Sequence, residues 1–323
     1  MTTSKPDPSL CCTGKVAIVG VGSVGATIAH TLMLQGLANE LVLIDANRAK
    51  CQAEVKDLNH GRRFAPPVRI AAGALEDCRG AEIVVVTAGA KQKPGQTRLD
   101  LAQTNVAMFR ELIPAISEAA PDAILLVVSN PVDLLTYAAR KWYCGPRGRV
   151  IGSGTVLDSS RFVSLLAERL GVAVRNVHGY IIGEHGESEL PLWSSVHVGV
   201  IPLEEFRPPD RPPMSEAERA GLFDAVRSAA AEIIAAKGAT NWAVGLAVAR
   251  IVEAIRRDEN AVLTVSRLIE DYCGISDVCL SVPCLVNRQG AGPPLPIPMT
   301  DAERQALRES AEVLRRAARA AGL

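Results

Sequence analysis

The sequence predicts an α/β fold: a doubly wound parallel sheet followed by an α+β second domain. Three observations lead there. Short apolar, β-branched runs alternate with helical segments through the first half of the 323 residues, the grammar of repeated βαβ units. Gly20-Val21-Gly22-Ser23-Val24-Gly25 sits directly between a strand-like run and a helical one, and Asp45 ends the next strand-like run 20 residues after Gly25. After Gly154 the alternation gives way to runs of helix and then paired strands.

Taken in order, Lys15–Val19 is the first strand and Ala26–Leu37 the first helix, with Leu41–Ile44 the second strand. The glycines between them have separate tasks. The first allows the tight turn, the second lets a pyrophosphate reach backbone N–H groups, and the third permits close helix–strand packing. The helix N-terminus stabilises negative charge. Asp45 can accept hydrogen bonds from ribose hydroxyls and would repel a 2′-phosphate, so the cofactor expected is NAD rather than NADP. Ala53–Gly61 is helical and Val68–Ala72 a short strand. Ala81–Thr87 and Ala123–Val128 are near-continuous apolar runs, as strands buried on both faces should be. Between them lie a loop from Ala88 to Arg98 and a long helix over Leu99–Ala119. Asp133–Tyr143 is helical and Arg149–Gly152 a further strand. The loops after Val19, Ile44, Thr87 and Val128 all fall at the carboxyl edge of the sheet, where ligands of Rossmann-type sheets bind.

The second half opens with an amphipathic helix over Asp158–Leu170. Ile201–Pro213 reads as a surface excursion, Ser215 as the N-cap of a helix running to Lys237, and Gly238 as its interruption. Helix resumes over Asn241–Arg257. Ala261–Ile269 and Val278–Val286 read as paired strands, and Thr300 opens a terminal helix rich in Arg and Glu. The expected organisation is a disordered tail over 1–13, an NAD-binding Rossmann domain over 14–154 and an α+β substrate and catalytic domain over 155–323, the last two sharing a substantial interface.

Composition removes several functional classes. Lys+Arg and Asp+Glu balance at 35 each, so no global field argues for nucleic acid or anionic membranes, and an anionic substrate must be caught by locally placed cations. No apolar run reaches the ~20 residues of a membrane span, and Met1–Cys12 lacks the apolar core of a secretory signal. The cysteines, Cys11, Cys12, Cys51, Cys78, Cys144, Cys273, Cys279 and Cys284, contain no C-x-x-C pair. Their scatter disfavours disulfides and a metal site and fits buried reduced thiols in a cytoplasmic protein, with Cys279 and Cys284 in the core.

The chemistry centres on Gly183-Glu184-His185-Gly186. Imidazole is the side chain best suited to proton transfer near neutral pH, and hydride transfer at an alcohol carbon needs a partner that moves the hydroxyl proton. Asp158 is the candidate carboxylate to fix the histidine tautomer. Arg161, one helical turn on, offers a planar fork for a substrate carboxylate. Taken alone, Asp158 and Arg161 read as an ordinary i,i+3 ion pair, and His185 as a loop histidine.

Together these residues resemble the lactate/malate dehydrogenase family over nearly the whole chain, from about Lys15 to the terminal helix. The motifs that carry the resemblance are Gly20–Gly25, Thr87-Ala88-Gly89-Ala90, Lys93-Pro94-Gly95-Gln96-Thr97-Arg98, Ser129-Asn130-Pro131-Val132-Asp133, Asp158-Ser159-Ser160-Arg161-Phe162, Gly183–Gly186 and Lys237-Gly238-Ala239-Thr240. The resemblance implies that His185 is the proton donor/acceptor, Asp158 its carboxylate partner, Arg161 the anchor of the substrate carboxylate, and Arg98 a lid residue polarising the ketone oxygen. Asn130 would lie beside the reacting centre and Thr240 line the substrate pocket. Gly20, Gly22, Ser23, Val24, Gly25, Asp45, Thr87, Ala88, Gly89, Asn105, Ser129, Asn130 and Ser153 would bind NAD.

Malate-type members carry arginine where this chain has Gln92. A second substrate carboxylate beside a neutral glutamine would cost several kcal/mol, so pyruvate and L-lactate are the expected substrates, with a malate dehydrogenase or a broader L-2-hydroxyacid dehydrogenase the nearest alternative and a non-catalytic NAD-binding protein a distant one. Many bacterial members respond to fructose 1,6-bisphosphate through a histidine and an arginine. His178 matches the first, but Val163 stands at the arginine position, so strong activation is not expected. The resemblance also implies a homotetramer or homodimer, and the tail before Gly14 is shorter than the arm of vertebrate-type members. Gln96 replaces the usual glutamate, with no physical account of its effect.

Overall fold

The computed structural model describes residues 14–90, 98–208 and 211–323, without the Arg98 side chain. Cys11, Cys12, Lys91, Gln92, Lys93 and Gln96 therefore lie outside the described residues, as does the expected tail.

The first half alternates as expected: β1 (Lys15–Val19), α1 (Ser23–Leu34), β2 (Glu40–Ile44), α2 (Arg48–Gly61), β3 (Arg69–Ala72), β4 (Ile83–Val86), α3 (Arg98–Ala119), β5 (Ile124–Val127), α4 (Val132–Trp142) and β6 (Val150–Gly152). These six strands pair in parallel in the order β3-β2-β1-β4-β5-β6. The chain winds away from β1 in both directions, which leaves a crevice between β1 and β4 beyond their carboxyl ends. Alternate residues explain why the strands read as continuous apolar runs. Val16, Ile18, Leu41, Leu43, Ile83 and Val85 feed one core, while Ala17, Val19, Val42, Ile44, Val84 and Val86 feed another on the opposite face. Helix α1 begins three residues before the Ala26 expected from periodicity, because Gly22 is its N-cap and Gly25 already lies in its first turn.

The second half contains α5 (Val156–Leu170), β7 (Val177–His178), β8 (Ile181–Ile182), β9 (Leu190–Pro191), β10 (His197–Val198), β11 (Ile201–Pro202), α6 (Glu216–Lys237), α7 (Trp242–Arg256), β12 (Ala261–Ile269), β13 (Val278–Asn287), β14 (Gly290–Pro294) and α8 (Asp301–Ala320). Ser215 and Thr300 close capping boxes with Glu218 and Glu303, and Gly238 ends α6 at φ +84°.

The paired strands do not form a sheet of their own. β12 joins β6 antiparallel through Ser266 and Gly152, and β13 and β14 follow, extending the central sheet to nine strands. β14 was hidden in sequence because it reads Gly-Ala-Gly-Pro-Pro; as an edge strand it tolerates residues that cannot complete a ladder. A third core, with Phe162, Leu166, Val177, Val198 and Val226, joins α5 and α6 to the small β7–β10–β11 sheet. Cys279 and Cys284 are buried in β13 as expected, but Cys144 is exposed; the six described cysteines are free thiols.

Candidate active site

The candidate catalytic cluster forms where a loop after β8 meets α5. His185 Nδ1 lies 2.5 Å from Asp158 Oδ2, and Arg161 Nη1 donates to Asp158 Oδ1 at 2.8 Å. The ion pair suggested by the i,i+3 spacing thus exists, and the same carboxylate also orients the histidine. Asp158 is 2% exposed. Burial works to raise its pKa, but the charges of His185 and Arg161 and their hydrogen bonds hold it below the usual carboxylate range. For His185, burial works against the imidazolium. Asp158 outweighs it, helped by Asp133 and Glu189, and the pKa rises to about 9.

Two carboxylates that flank His185 in sequence turn out to be less central than one that does not. Glu184 accepts from the N–H and hydroxyl of Ser188 at 3.2 and 2.5 Å, and Glu187 is exposed. Glu189, which the sequence analysis passed over, is buried, and its carboxylate comes within 4.8 Å of donor atoms of both Asp158 and His185. Burial first, then the Asp158 charge, lifts its pKa to about 8. No local pattern in Ser188-Glu189-Leu190 marks it. Asp133 is the second residue missed: its Oδ2 accepts the backbone N–H of His185 at 2.7 Å.

Six of the residues expected to bind the cofactor line the β1–β4 crevice. A cavity of about 660 Å³ is lined there by Gly20, Gly22, Asp45, Thr87, Ala88 and Gly89 among others, a size suited to a nucleotide. At Gly25 an added Cβ would stand 2.0 Å from the Gly20 carbonyl oxygen, whereas at Gly22 it would meet nothing within 4 Å. That contrast matches the tasks read from sequence: one glycine packs helix on strand, the other leaves open room over the α1 N-terminus, where Ser23 and Val24 begin the helix. These residues fit a dinucleotide. Asp45 has an additional task, since Oδ2 accepts from Val21 N–H at 2.6 Å and Oδ1 from Asn47 N–H at 2.8 Å. A carboxylate has about four acceptor positions, so both oxygens retain capacity for a ribose.

Thr87 Oγ1 donates to Gly20 O at 2.5 Å, tying β4 to the glycine turn. Ser129 Oγ donates to Ala88 O at 2.6 Å. Asn105, 1% exposed, accepts from Ala90 N–H and donates to Asn130 O, so its amide braces two loops of the crevice from behind. Asn130 is exposed, and Ser153 is tied to the end of β5 through Val127 O at 2.8 Å. Thr240 is half-buried in the turn between α6 and α7; among the described residues it makes no hydrogen bond to the His185 cluster. Arg98 is the first residue of α3, while Gln92 lies outside the described residues. His178 is exposed on β7 and pairs across to His197 on β10; Val163 is half-buried on α5. Among the described residues no helix is long and apolar enough to cross a membrane.

Residues 14–152 match the model of the lactate/malate dehydrogenase NAD-binding domain, and residues 155–321 match that of the family's alpha/beta C-terminal domain. An L-lactate dehydrogenase of a Synechococcus species is 50% identical over 301 residues, covering 93% of this chain and 97% of the relative. One from Gloeobacter violaceus is 51% identical, covering 93% and 91%. Among solved structures, a lactate dehydrogenase from a Medee basin deep-sea metagenome superposes with a TM-score of 0.93 at 37% identity, covering 96% of this chain and 99% of that one. The minor L-lactate dehydrogenase of Enterococcus mundtii, in a ligand-bound form, gives 0.91 at 40% identity, covering 95% and 98%.

Proposed function

The chain belongs to the lactate/malate dehydrogenase family, and from that premise we infer an NAD-dependent L-lactate dehydrogenase in which His185 is the proton donor/acceptor. The observation that carries the reading is the single buried carboxylate of Asp158, which holds His185 on one oxygen and Arg161 on the other.

When bound, the nicotinamide supplies a hydride to, or accepts it from, the substrate C2 carbon. The residues of this chain do the rest. Arg161 uses one nitrogen on Asp158, and its fork has further N–H groups for the substrate carboxylate. His185, charged at neutral pH because its pKa stands at about 9, gives its proton to the ketone oxygen. Asp158 stabilises the imidazolium before the transfer and keeps the neutral ring in the right tautomer after it. Arg98 on the lid adds positive charge where the oxygen becomes negative. Gln92 selects pyruvate over oxaloacetate by leaving a second carboxylate uncompensated.

The enzyme works in the cytoplasm, a placement supported by its free thiols, and assembles as a homotetramer or homodimer. Assembly is supported by α6, whose Ile233 and Ile234 are exposed, and by Trp242 and Leu246 on α7, 66% and 57% exposed. Strong activation by fructose 1,6-bisphosphate is not expected, with Val163 in place of a cation beside His178.

The test is NADH oxidation with pyruvate and oxaloacetate at equal concentrations, with and without fructose 1,6-bisphosphate, on protein whose assembly mass has been measured by light scattering. Pyruvate should be preferred at least tenfold, and Gln92→Arg should move the preference toward oxaloacetate. Equal rates with both acids, or no movement in the variant, would overturn the lactate assignment.

A further inference from the structure

Asp133 closes the Ser129–Asp133 motif yet touches none of the groups that meet the substrate in the chemistry above. Its place in the fold gives it one. Three consecutive backbone N–H groups of the catalytic loop are fastened to three different elements. Gly183 donates to the Ser281 carbonyl in β13 at 2.9 Å, Glu184 to Ser310 Oγ in α8 at 2.8 Å, and His185 to Asp133 Oδ2 in α4 at 2.7 Å. The first of these needs glycine: Gly183 has φ +91°, and an added Cβ would lie 2.8 Å from Ser310 Oγ. Glycines before and after the histidine leave the local chain with little stiffness of its own. The imidazole position must therefore come from these external anchors.

We propose that Asp133 is a positioning residue for His185, fixing the backbone from which the imidazole projects and bringing a second carboxylate close to it. The proposal rests on the assignment of His185 as the proton donor/acceptor. Burial lifts the Asp133 pKa to about 6; above that pH its carboxylate makes a shorter and stronger charge-assisted bond to the buried amide than a neutral acceptor would and adds its field to that of Asp158. Asp133 is 2% exposed, and Ser281 Oγ reaches its other oxygen at 3.5 Å. The charged groups acting on His185 are thus Asp158 from α5, Asp133 from α4 and Glu189 from its own loop, with Glu184 acting on Asp133, Arg161 on Asp158 and Glu189, and Arg227 of α6 on Glu189.

Asp133→Asn keeps an acceptor and removes the charge, whereas Asp133→Ala removes both. Each variant is measured for kcat and KM with pyruvate, for NADH affinity by fluorescence, for Tm, and for affinity of oxamate, a pyruvate analogue, across pH 6 to 10. Asp133→Ala should lose about 100-fold in kcat, the scale of a displaced catalytic group, with NADH affinity within twofold. Asp133→Asn should keep kcat within about tenfold, yet its loss of oxamate affinity at high pH should begin about one unit lower, because one carboxylate that favours the imidazolium has gone. A variant with wild-type kcat and an unmoved pH limb overturns the proposal, as does lowered Tm alone. If Asp133→Ala fails to fold, Asp133→Asn decides. Failure of the underlying assignment is distinguishable: His185→Asn would then itself retain turnover and the oxamate pH limb.

Discussion

The turn at Gly20–Gly25 and the loop at Gly183–Gly186 are both punctuated by glycine, and they obtain their shapes in opposite ways. The first is shaped by its own strand–turn–helix unit and by the ends of the two strands beside it, β2 and β4. Its longest tethers are Asp45 to Val21, 24 positions apart, and Thr87 to Gly20, 67 apart, both within the parallel sheet. The second is held from four elements: α5 through Asp158, α4 through Asp133, β13 through Ser281 and α8 through Ser310, with Ser310 126 positions away from Glu184. A turn that receives a cofactor can be written into a short stretch of chain. A base that must meet its substrate to within a fraction of an ångström is fixed only when the whole molecule has closed around it.

The largest effect that separates the two regions is expected from His185→Asn. Loss of a general acid/base costs about 10²–10⁴-fold, so kcat should fall on the order of 10³-fold while NADH affinity, read by fluorescence, stays within twofold. A matching loss of NADH affinity would show that the two loops are not independent. In its proposed role the same residue also sets a pH limb in the unaltered enzyme. Pyruvate needs the imidazolium, whose pKa is raised to about 9, so oxamate affinity should be flat at neutral pH and fall about tenfold per unit above pH 9. Lactate, which needs the neutral ring, should gain over the same range.

A smaller effect, confined to the other region, is expected from Asp45→Ala. It removes the acceptor of the Val21 N–H at 2.6 Å and the acceptor available to the ribose. Charge-assisted hydrogen bonds contribute about 1.5–3 kcal/mol each, so NADH affinity should fall about tenfold or more. The preference for NADH over NADPH should narrow, because the charge that repels a 2′-phosphate has gone. kcat at saturating NADH should change less than threefold. Titration with both nucleotides checks it, and an unchanged ratio would remove Asp45 from cofactor choice.

The same contrast explains what the sequence disclosed. Gly25, whose Cβ would meet Gly20 O at 2.0 Å, and the apolar run Ile83–Val86, buried on both faces, are dictated by their neighbours in the chain and were legible there. β14 was not, because its ladder forms against β13 and its own residues carry no strand preference. Nor was the fusion of β12 to β6, a single cross-pair between Ser266 and Gly152. At the site, Asp158 and Arg161 were visible as a pair because three positions separate them on one helix. Asp133 and Glu189 were not, since nothing local distinguishes a carboxylate that will be buried beside His185 from one that will face water.

Glu189→Gln is expected to have the smallest effect on turnover, and it tests whether position alone gives a buried carboxyl beside the catalytic pair a role. Burial and the Asp158 charge raise the Glu189 pKa to about 8, so at pH 7 the folded protein holds it mainly protonated, and glutamine closely mimics that form. kcat at pH 6.5 should therefore change less than threefold. Stability gives the sharper reading. In the unfolded chain the group ionises near 4.5, the ordinary glutamate value, whereas in the folded protein it stays protonated until about pH 8. A raised carboxyl contributes stability that is fully present below the unfolded value and lost as pH rises toward the folded one. The unaltered protein should lose ground to Glu189→Gln between about pH 4.5 and 8 and run parallel to it above that. The difference in Tm between the two proteins, measured across pH 5 to 9, should grow and then level off. A constant difference would mean that Glu189 is already ionised at neutral pH and belongs, with Asp133 and Asp158, among the fixed charges that hold His185 as an imidazolium.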